Sequence, residues 1–289
     1  MIQLFNKTNH FLSMEETNIV NKITKIDAKK LLFSTTELKQ QNCEDNLISE
    51  VPVALVYNGI SHTVMMTTPS DLDDFALGFS LAEGILNSPQ ELYGLDVIEQ
   101  ENGVEIQLEI STRQFVALKD KRRSMAGRTG CGICGVEQLE QVNQSCKIVK
   151  RNNRLQGVNP LILESCLEQL KNAQILSKET GASHAAAFFS MQGELLAIRE
   201  DVGRHVALDK LIGWYAKASY PNGFVFVTSR ASFEMVQKCL AVGIEMLCAI
   251  SATTEMAVKM ARDNQFTLLA FTRKGKSTIY SGEERLSLK

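Results

Sequence analysis

The sequence predicts an α/β fold, and three observations carry that prediction. Short apolar runs, "HAAAFFS", "GFVFV", "MLCAIS" and "FTLLAFT", alternate in the second half of the chain with segments of helical period, "HVALDKLIGWYAKA", "FEMVQKCLAVGI" and "EMAVKMARDN". That βαβαβ alternation implies a largely parallel sheet covered by helices. In the first half, two hairpin patterns flank one amphipathic helix. The composition, 44% hydrophobic and 22% charged over 289 residues, is that of a globular chain large enough for one big or two modest domains.

The elements follow in order. Residues 1–47 are polar and mixed, without a clear period, and read as an extension holding at most one helix or strand. "VPVALVYNGISHTVMMTTPS" reads as two strands joined at Asn58-Gly59, a strong hairpin signal. Ser70 is the expected cap of the next helix, "DLDDFALGFSLAEGIL", whose Asp71, Asp73 and Asp74 suit a helix start. Leu72, Phe75, Ala76, Phe79 and Leu86 give it one apolar face. "LDVIEQENGVEIQLEI" is a second hairpin, expected to turn at Asn102-Gly103, with Val104, Ile106, Leu108 and Ile110 at strand period. "ILESCLEQLKNAQILSKE" reads as one helix, and Met191, Gln192 and Gly193 join the two strands after it. The boundaries expected are an extension over 1–47, an α+β hairpin subdomain over 48–125, a flexible cysteine loop over 126–150 and an α/β domain over 151–289.

Charge and cysteines exclude several classes. A net charge of -2 excludes a wholesale polyanion binder, so nucleic acid is not expected and any anion site is a local patch. No apolar run approaches the ~20 residues of a membrane span, and the start is a poor secretion signal. Seven cysteines, an odd number spread along the chain, suit a reducing cytoplasm rather than a disulfide scaffold.

Two of those cysteines are unusual. In "AGRTGCGICGVEQ", Cys131 and Cys134 sit among Gly127, Gly130, Gly132 and Gly135, just after Lys119, Lys121, Arg122, Arg123 and Arg128. Four chemistries fit a CxxC pair: structural zinc, a thioredoxin-like redox pair, a buried structural pair and a mobile nucleophile. Zinc lacks a second ligand pair nearby. Glycines make a poor core and a good hinge, and cations favour the reactive thiolate. The motif alone does not choose between the four. Cys43, Cys146, Cys166, Cys239 and Cys248 read as bystanders, the last two as buried free thiols.

A second constellation lies at predicted strand ends, where α/β sheets place their sites. His184 opens one strand. Arg199, Glu200 and Asp201 end the next, before Arg204 and His205. "VTSRASFE" carries Thr228, Ser229, Arg230 and Ser232 into a helix, and "AISATTE" carries Ser251, Thr253 and Thr254 into another. Hydroxyls and free N–H groups at helix starts suit phosphate, although plain N-capping would explain either stretch alone. Arg273, Lys274 and Lys276 surround Gly275 in "FTRKGKSTIY". Together these point to a phosphate-rich ligand, while the usual nucleotide fingerprints GxxxxGK[ST] and GxGxxG are absent.

Taken together, "GRTGCGICGVEQL", "SHAAAF", "REDVGRHVALDKLIG", "SRASFEMVQK" and "GKSTIY" resemble the FdhD family, the formate dehydrogenase accessory sulfurtransferases, close to the enterobacterial type. The resemblance runs from about Glu50 to Leu286. It implies a cytidine-deaminase-like three-layer sandwich with a smaller hairpin-rich N-terminal subdomain, a homodimer and a cytoplasmic location. It also implies a persulfide carrier: sulfur taken from a cysteine desulfurase onto Cys131, with Cys134 as the second thiol, and passed to the molybdenum (or tungsten) bis-guanine-dinucleotide cofactor that formate dehydrogenase needs. That cofactor is a bound substrate, with no permanent cofactor or metal. The family's cofactor segment falls on Phe271, Thr272, Arg273, Lys274, Gly275 and Lys276. Ser229, Arg230, His184 and His205 are expected to join it, and Glu200, Asp201 and Arg204 to line the pocket or order the cysteine loop. The motif of a zinc deaminase, H-x-E with P-C-x-x-C, is missing, because Ala185-Ala186 follow His184 and Gly130 precedes Cys131. A rival reading is a cofactor-binding chaperone whose cysteines are structural or zinc-bound; another is a dithiol reductase.

Overall fold

The computed structural model describes residues 21–126 and 155–288. The expected cysteine loop, with Cys131, Cys134, Cys146 and Arg128, lies outside the described residues.

Among the described residues three sheets are present. The first is a two-stranded antiparallel ribbon, β1 (Ile23–Phe33) with β2 (Leu38–Ile48), in the extension expected to hold at most one helix or strand. The second sheet has order β4-β3-β6-β5. It holds β3 (Val51–Tyr57), β4 (Ile60–Thr67), β5 (Leu92–Gln100) and β6 (Gly103–Ile110). Asn58 and Gly59 turn the first hairpin with φ 46 and 80, the left-handed pair that an Asn-Gly turn requires. The second hairpin turns one residue earlier than expected: Gln100 pairs with Gly103, so Glu101 and Asn102 form the turn.

Helix α1 (Leu72–Ala82) connects the two hairpins. Ser70 does not cap it; Asp71, with φ 49, precedes the helix without a side-chain cap bond. The Ser70 hydroxyl turns instead to the buried Lys210 ammonium, 3.5 Å away. After β6, α2 (Thr112–Ala126) leads toward the cysteine segment.

The third sheet has six strands in the order β12-β11-β10-β9-β7-β8. These are β7 (His184–Ser190), β8 (Leu195–Asp201), β9 (Gly223–Val227), β10 (Met246–Ala249), β11 (Thr267–Arg273) and β12 (Lys276–Ser281). Only β9, β10 and β11 pair in parallel; β7, β8 and β12 join antiparallel. The sheet is therefore mixed rather than largely parallel. Its βαβ units are real, but the four-residue loop Met191–Glu194 is too short for a parallel crossover and makes β7–β8 a hairpin.

The helices around this sheet are α3 (Ile162–Ala173), α4 (Ile175–Thr180), α5 (Arg204–Lys217), α6 (Phe233–Ala241) and α7 (Glu255–Asp263). The one helix expected over α3 and α4 breaks at Gln174, where ψ is 86. Strand alternation sorts the core. Phe188, Val225, Leu247 and Leu268 face α5, α6 and α7, while Phe189, Phe224, Cys248 and Leu269 face α3. The result is a three-layer α/β/α stack. Beyond it, α1 packs on α5 and carries the four-stranded sheet on its far side, within the same apolar cluster. Among the described residues no helix is long and apolar enough to cross a membrane.

Candidate functional site at one sheet edge

Strand direction gathers the predicted residues. β9, β10 and β11 end at one edge of the six-stranded sheet; β7 and β12, running opposite, begin there, and β8 ends there. His184, Asp201, Ser229, Arg230, Ser251, Thr253 and Phe271–Lys276 therefore share that edge. By strand spacing of ~4.8 Å, β7 and β11 stand roughly 14 Å apart along it.

The middle of the edge is pinned by backbone bonds. Ala231 N–H donates to Ala252 O at 2.9 Å, and Thr254 N–H to Ala231 O at 3.2 Å. The Thr253 hydroxyl donates to Ala231 O at 3.1 Å. Phe271 N–H donates to Ser251 O at 2.9 Å. Thr254 caps α7 through Ala257 N–H, so that hydroxyl is occupied in ordinary capping. Ser232 stands at the start of α6 with no cap bond, and its buried Oγ has no hydrogen-bond partner among the described residues. Ser229 is buried and its hydroxyl donates to Arg230 O, whereas Arg230 is exposed.

At the β11–β12 end, Phe271 has φ 52 and is 42% exposed. A left-handed aromatic residue is a costly backbone outlier. It falls where the register with β12 shifts, between Ala270 and Arg273. Thr272 turns inward, its hydroxyl 2.8 Å from that of Ser277. Arg273, Lys274 and Lys276 stay exposed around Gly275, whose φ of 72 is what requires glycine there. Lys274 approaches Glu164 at 3.5 Å with both side chains largely in solvent.

At the other end, His184 meets Arg204 and His205 from the start of α5. Burial lowers the His184 pKa first, then the Arg204 charge; Asp201 opposes the shift and His205 adds to it. His205 Nε2 lies 2.7 Å from Glu234 Oε2, an ion-pair distance without hydrogen-bond alignment, and Glu234 is held below the usual carboxylate range by His205. Buried Arg204 Nε also lacks a partner among the described residues.

The acids beside this cluster are scaffold. Glu200 accepts from Leu176 and Ser177 N–H at 2.9 Å each, capping α4, and from the Ser183 hydroxyl at 2.7 Å. Asp201 forms a fully buried ion pair with Lys210 at 2.7 Å and accepts from Thr68 N–H at 2.9 Å, while Lys210 donates to Thr68 O at 2.9 Å. Burial pushes the Asp201 carboxyl up and the Lys210 ammonium down, each opposed by the other's charge. Arg199 donates to Asp74 at 2.5 and 2.9 Å. Lys238 sits 2.9 Å from Asp209 and 2.8 Å from Glu83. Sequence reading singled out neither Lys210 nor Lys238. Their partners lie up to 155 positions away, so no local signal marks them.

Among the described residues no group of three or more His, Cys, Asp or Glu side chains is placed to hold a metal. Cys166, Cys239 and Cys248 are buried, and burial raises each thiol well above the ordinary cysteine value. Burial and the raised pKa favour the protonated thiol, which is the unreactive form.

The model of the FdhD/NarQ family matches residues 48–287. The chain belongs to the FdhD/NarQ family. The crystal structure of a protein described as a formate dehydrogenase accessory protein, from Desulfotalea psychrophila, superposes with a TM-score of 0.70. It covers 91% of this chain and 99% of its own, at 20% identity, which establishes a shared fold. The FdhD/NarQ match takes in the whole site edge and the CxxC segment, and leaves the β1–β2 ribbon before it.

Proposed function

We propose that this FdhD/NarQ protein serves formate dehydrogenase maturation as a sulfurtransferase, carrying persulfide sulfur on Cys131 to the molybdenum bis-guanine-dinucleotide cofactor. The observation that carries the reading is the single sheet edge that collects His184, Arg204, His205, Ser229, Arg230 and the segment Phe271–Lys276. Exposed cations suit the cofactor's diphosphates. The exposed, left-handed Phe271 ring offers a face for stacking on a purine. Family membership favours formate dehydrogenase as the client.

In this scheme the Cys131 thiolate attacks the outer sulfur of a donor persulfide. The donor's S–S bond breaks, a new one forms on Cys131 and the donor leaves as a thiolate. Delivery of the outer sulfur as sulfide consumes two electrons. Cys134 supplies them by attacking the inner sulfur, which leaves a Cys131–Cys134 disulfide for a dithiol reductant to reopen.

Mass spectrometry after incubation with a cysteine desulfurase and cysteine tests this. The chain is expected to gain about 32 Da, one sulfur atom, and Cys131→Ala to gain none. An adduct that persists in Cys131→Ala refutes Cys131 as the carrier. Stoichiometric zinc on Cys131 and Cys134 supports instead a chaperone with structural thiols.

A further inference from the structure

From Gln40 to Thr112 the chain has no Lys or Arg and thirteen Asp and Glu, so the other 216 residues hold 31 cations against 20 acids. The protein is electrically divided, although its net charge is only -2. The structure sorts those acids. Asp71, Asp73, Asp74 and Glu83, on or flanking α1, pair with Arg199 of β8, Lys217 of α5 and Lys238 of α6. Glu91 accepts from Asn87 and Gln114, and Glu44 pairs with Lys25 on the ribbon. Asp96, Glu99, Glu101, Glu105 and Glu109 all lie on the β5–β6 hairpin, and none has an ion pair among the described residues. Glu105 only accepts from the Gln107 amide.

Register shows what surrounds them. Ile106, Leu108, Val53 and Leu55 point inward toward α1 and are buried, so their neighbours point outward. Across the outer face, Val64, Ala54, Glu105 and Ile98 form one row; Asp96 stands opposite Gln107, Gly94 opposite Glu109, and Met66 opposite Pro52. Val64 is 51% exposed, Met66 48% and Ile98 41%. Exposed apolar side chains thus stand among carboxylates that have no ion pair among the described residues.

We propose that this outer face docks a protein partner whose contact surface is basic where it meets Asp96, Glu105 and Glu109 on β5 and β6 and apolar where it meets Val64 and Met66 on β4, and that the partner is the persulfide donor. This rests on the sulfur-transfer reading above. Charge complementarity selects a basic partner. Chain continuity ties this face to the carrier thiol, because β6 runs through α2 into the segment that bears Cys131, 21 positions beyond Ile110, and the assignment of the client's cofactor to the other sheet leaves this face to the donor. The phosphate-rich cofactor belongs at the other sheet's edge, in the cationic remainder of the molecule. Four strands by about five residues give a face of roughly 300 Å², the scale of a transient encounter rather than a permanent subunit contact. A donor must dock, transfer and leave.

The test uses the full chain and a purified cysteine desulfurase as probe. The triple variant Asp96→Lys, Glu105→Lys, Glu109→Lys is expected to bind it at least about tenfold more weakly, chiefly through a slower on-rate, with the difference shrinking in high salt. Guanosine diphosphate binding is expected to be unchanged, which also reports an intact fold. Val64→Ser with Met66→Ser, which alters no charge, is expected to weaken desulfurase binding too. Desulfurase affinity within twofold of wild type in the triple variant overturns the proposal, as does a wild-type chain that fails to bind the desulfurase. Binding through this face without persulfide on Cys131 refutes the sulfur-transfer reading and leaves the docking surface standing.

Discussion

His184 faces Asp201, Arg204 and His205, and burial with the Arg204 charge holds its pKa below the ordinary value. A base depressed by folding binds fewer protons in the native than in the unfolded state as pH falls below about 6.5. Its contribution to stability is complete above that pH and is lost as the pH drops toward the native pKa. NMR titration is expected to give a His184 midpoint below 6.5 that rises toward the ordinary value in Arg204→Ala. In His184→Gln, the loss of stability between pH 7 and pH 5 is expected to be shallower. Lys210 is the second informative residue. Its ammonium and the Asp201 carboxylate are fully buried and together hold the Thr68 backbone. Lys210→Met leaves an unpaired buried charge and is expected to cost about 3–5 kcal/mol in guanidinium unfolding. Adding Asp201→Asn is expected to recover part of that loss, because the charge goes while Thr68 N–H keeps an acceptor.

Helices α1 and α5 meet at two glycines. A Cβ on Gly78 would lie 1.8 Å from Asp209 O, and one on Gly213 would lie 2.0 Å from Asp74 O. Each obstacle is backbone, so the helices must part. On helix propensity alone Gly78→Ala would stabilise by ~1 kcal/mol. With the clash it is expected to destabilise by about 1–3 kcal/mol or more, and the sign in urea unfolding decides between the two effects. Neither glycine carries a sequence pattern that reveals this contact. Other elements were legible because their signals are local. The Asn58-Gly59 turn, the alternation of β6 and the apolar strand β9 formed within their expected segments, and β11 runs one residue past its own, to Arg273. The β1–β2 ribbon was not legible, because Lys25, Asp27, Lys29 and Lys30 interrupt its apolar residues and most of it faces solvent.

At the scale of the whole molecule, one apolar cluster contains side chains from both the four-stranded and the six-stranded sheets. Arg199, Lys217 and Lys238 add ion pairs across the α1 boundary. The two sheets are therefore expected to unfold together. Fluorescence of the single tryptophan, Trp214 on α5, and far-UV circular dichroism are expected to give coincident thermal transitions. A separate early transition by circular dichroism, with Trp214 unchanged, overturns this.

The sequence by itself determined the α/β class, most elements and the candidate edge residues, because hydrophobic period, turn chemistry and strand-end motifs act over a few residues. It also brought out the CxxC segment and the family to which the chain belongs. Only the tertiary structure decided that β7 and β12 run opposite to β9, β10 and β11, and that His184 and Phe271 share one edge. It alone showed that Glu200 and Asp201 cap and pin backbone, and that acids without an ion pair among the described residues lie on the outer face of the four-stranded sheet. Strand order and charge pairing are settled by contacts between residues up to 155 positions apart, and no local pattern encodes which distant partner a buried charge will find.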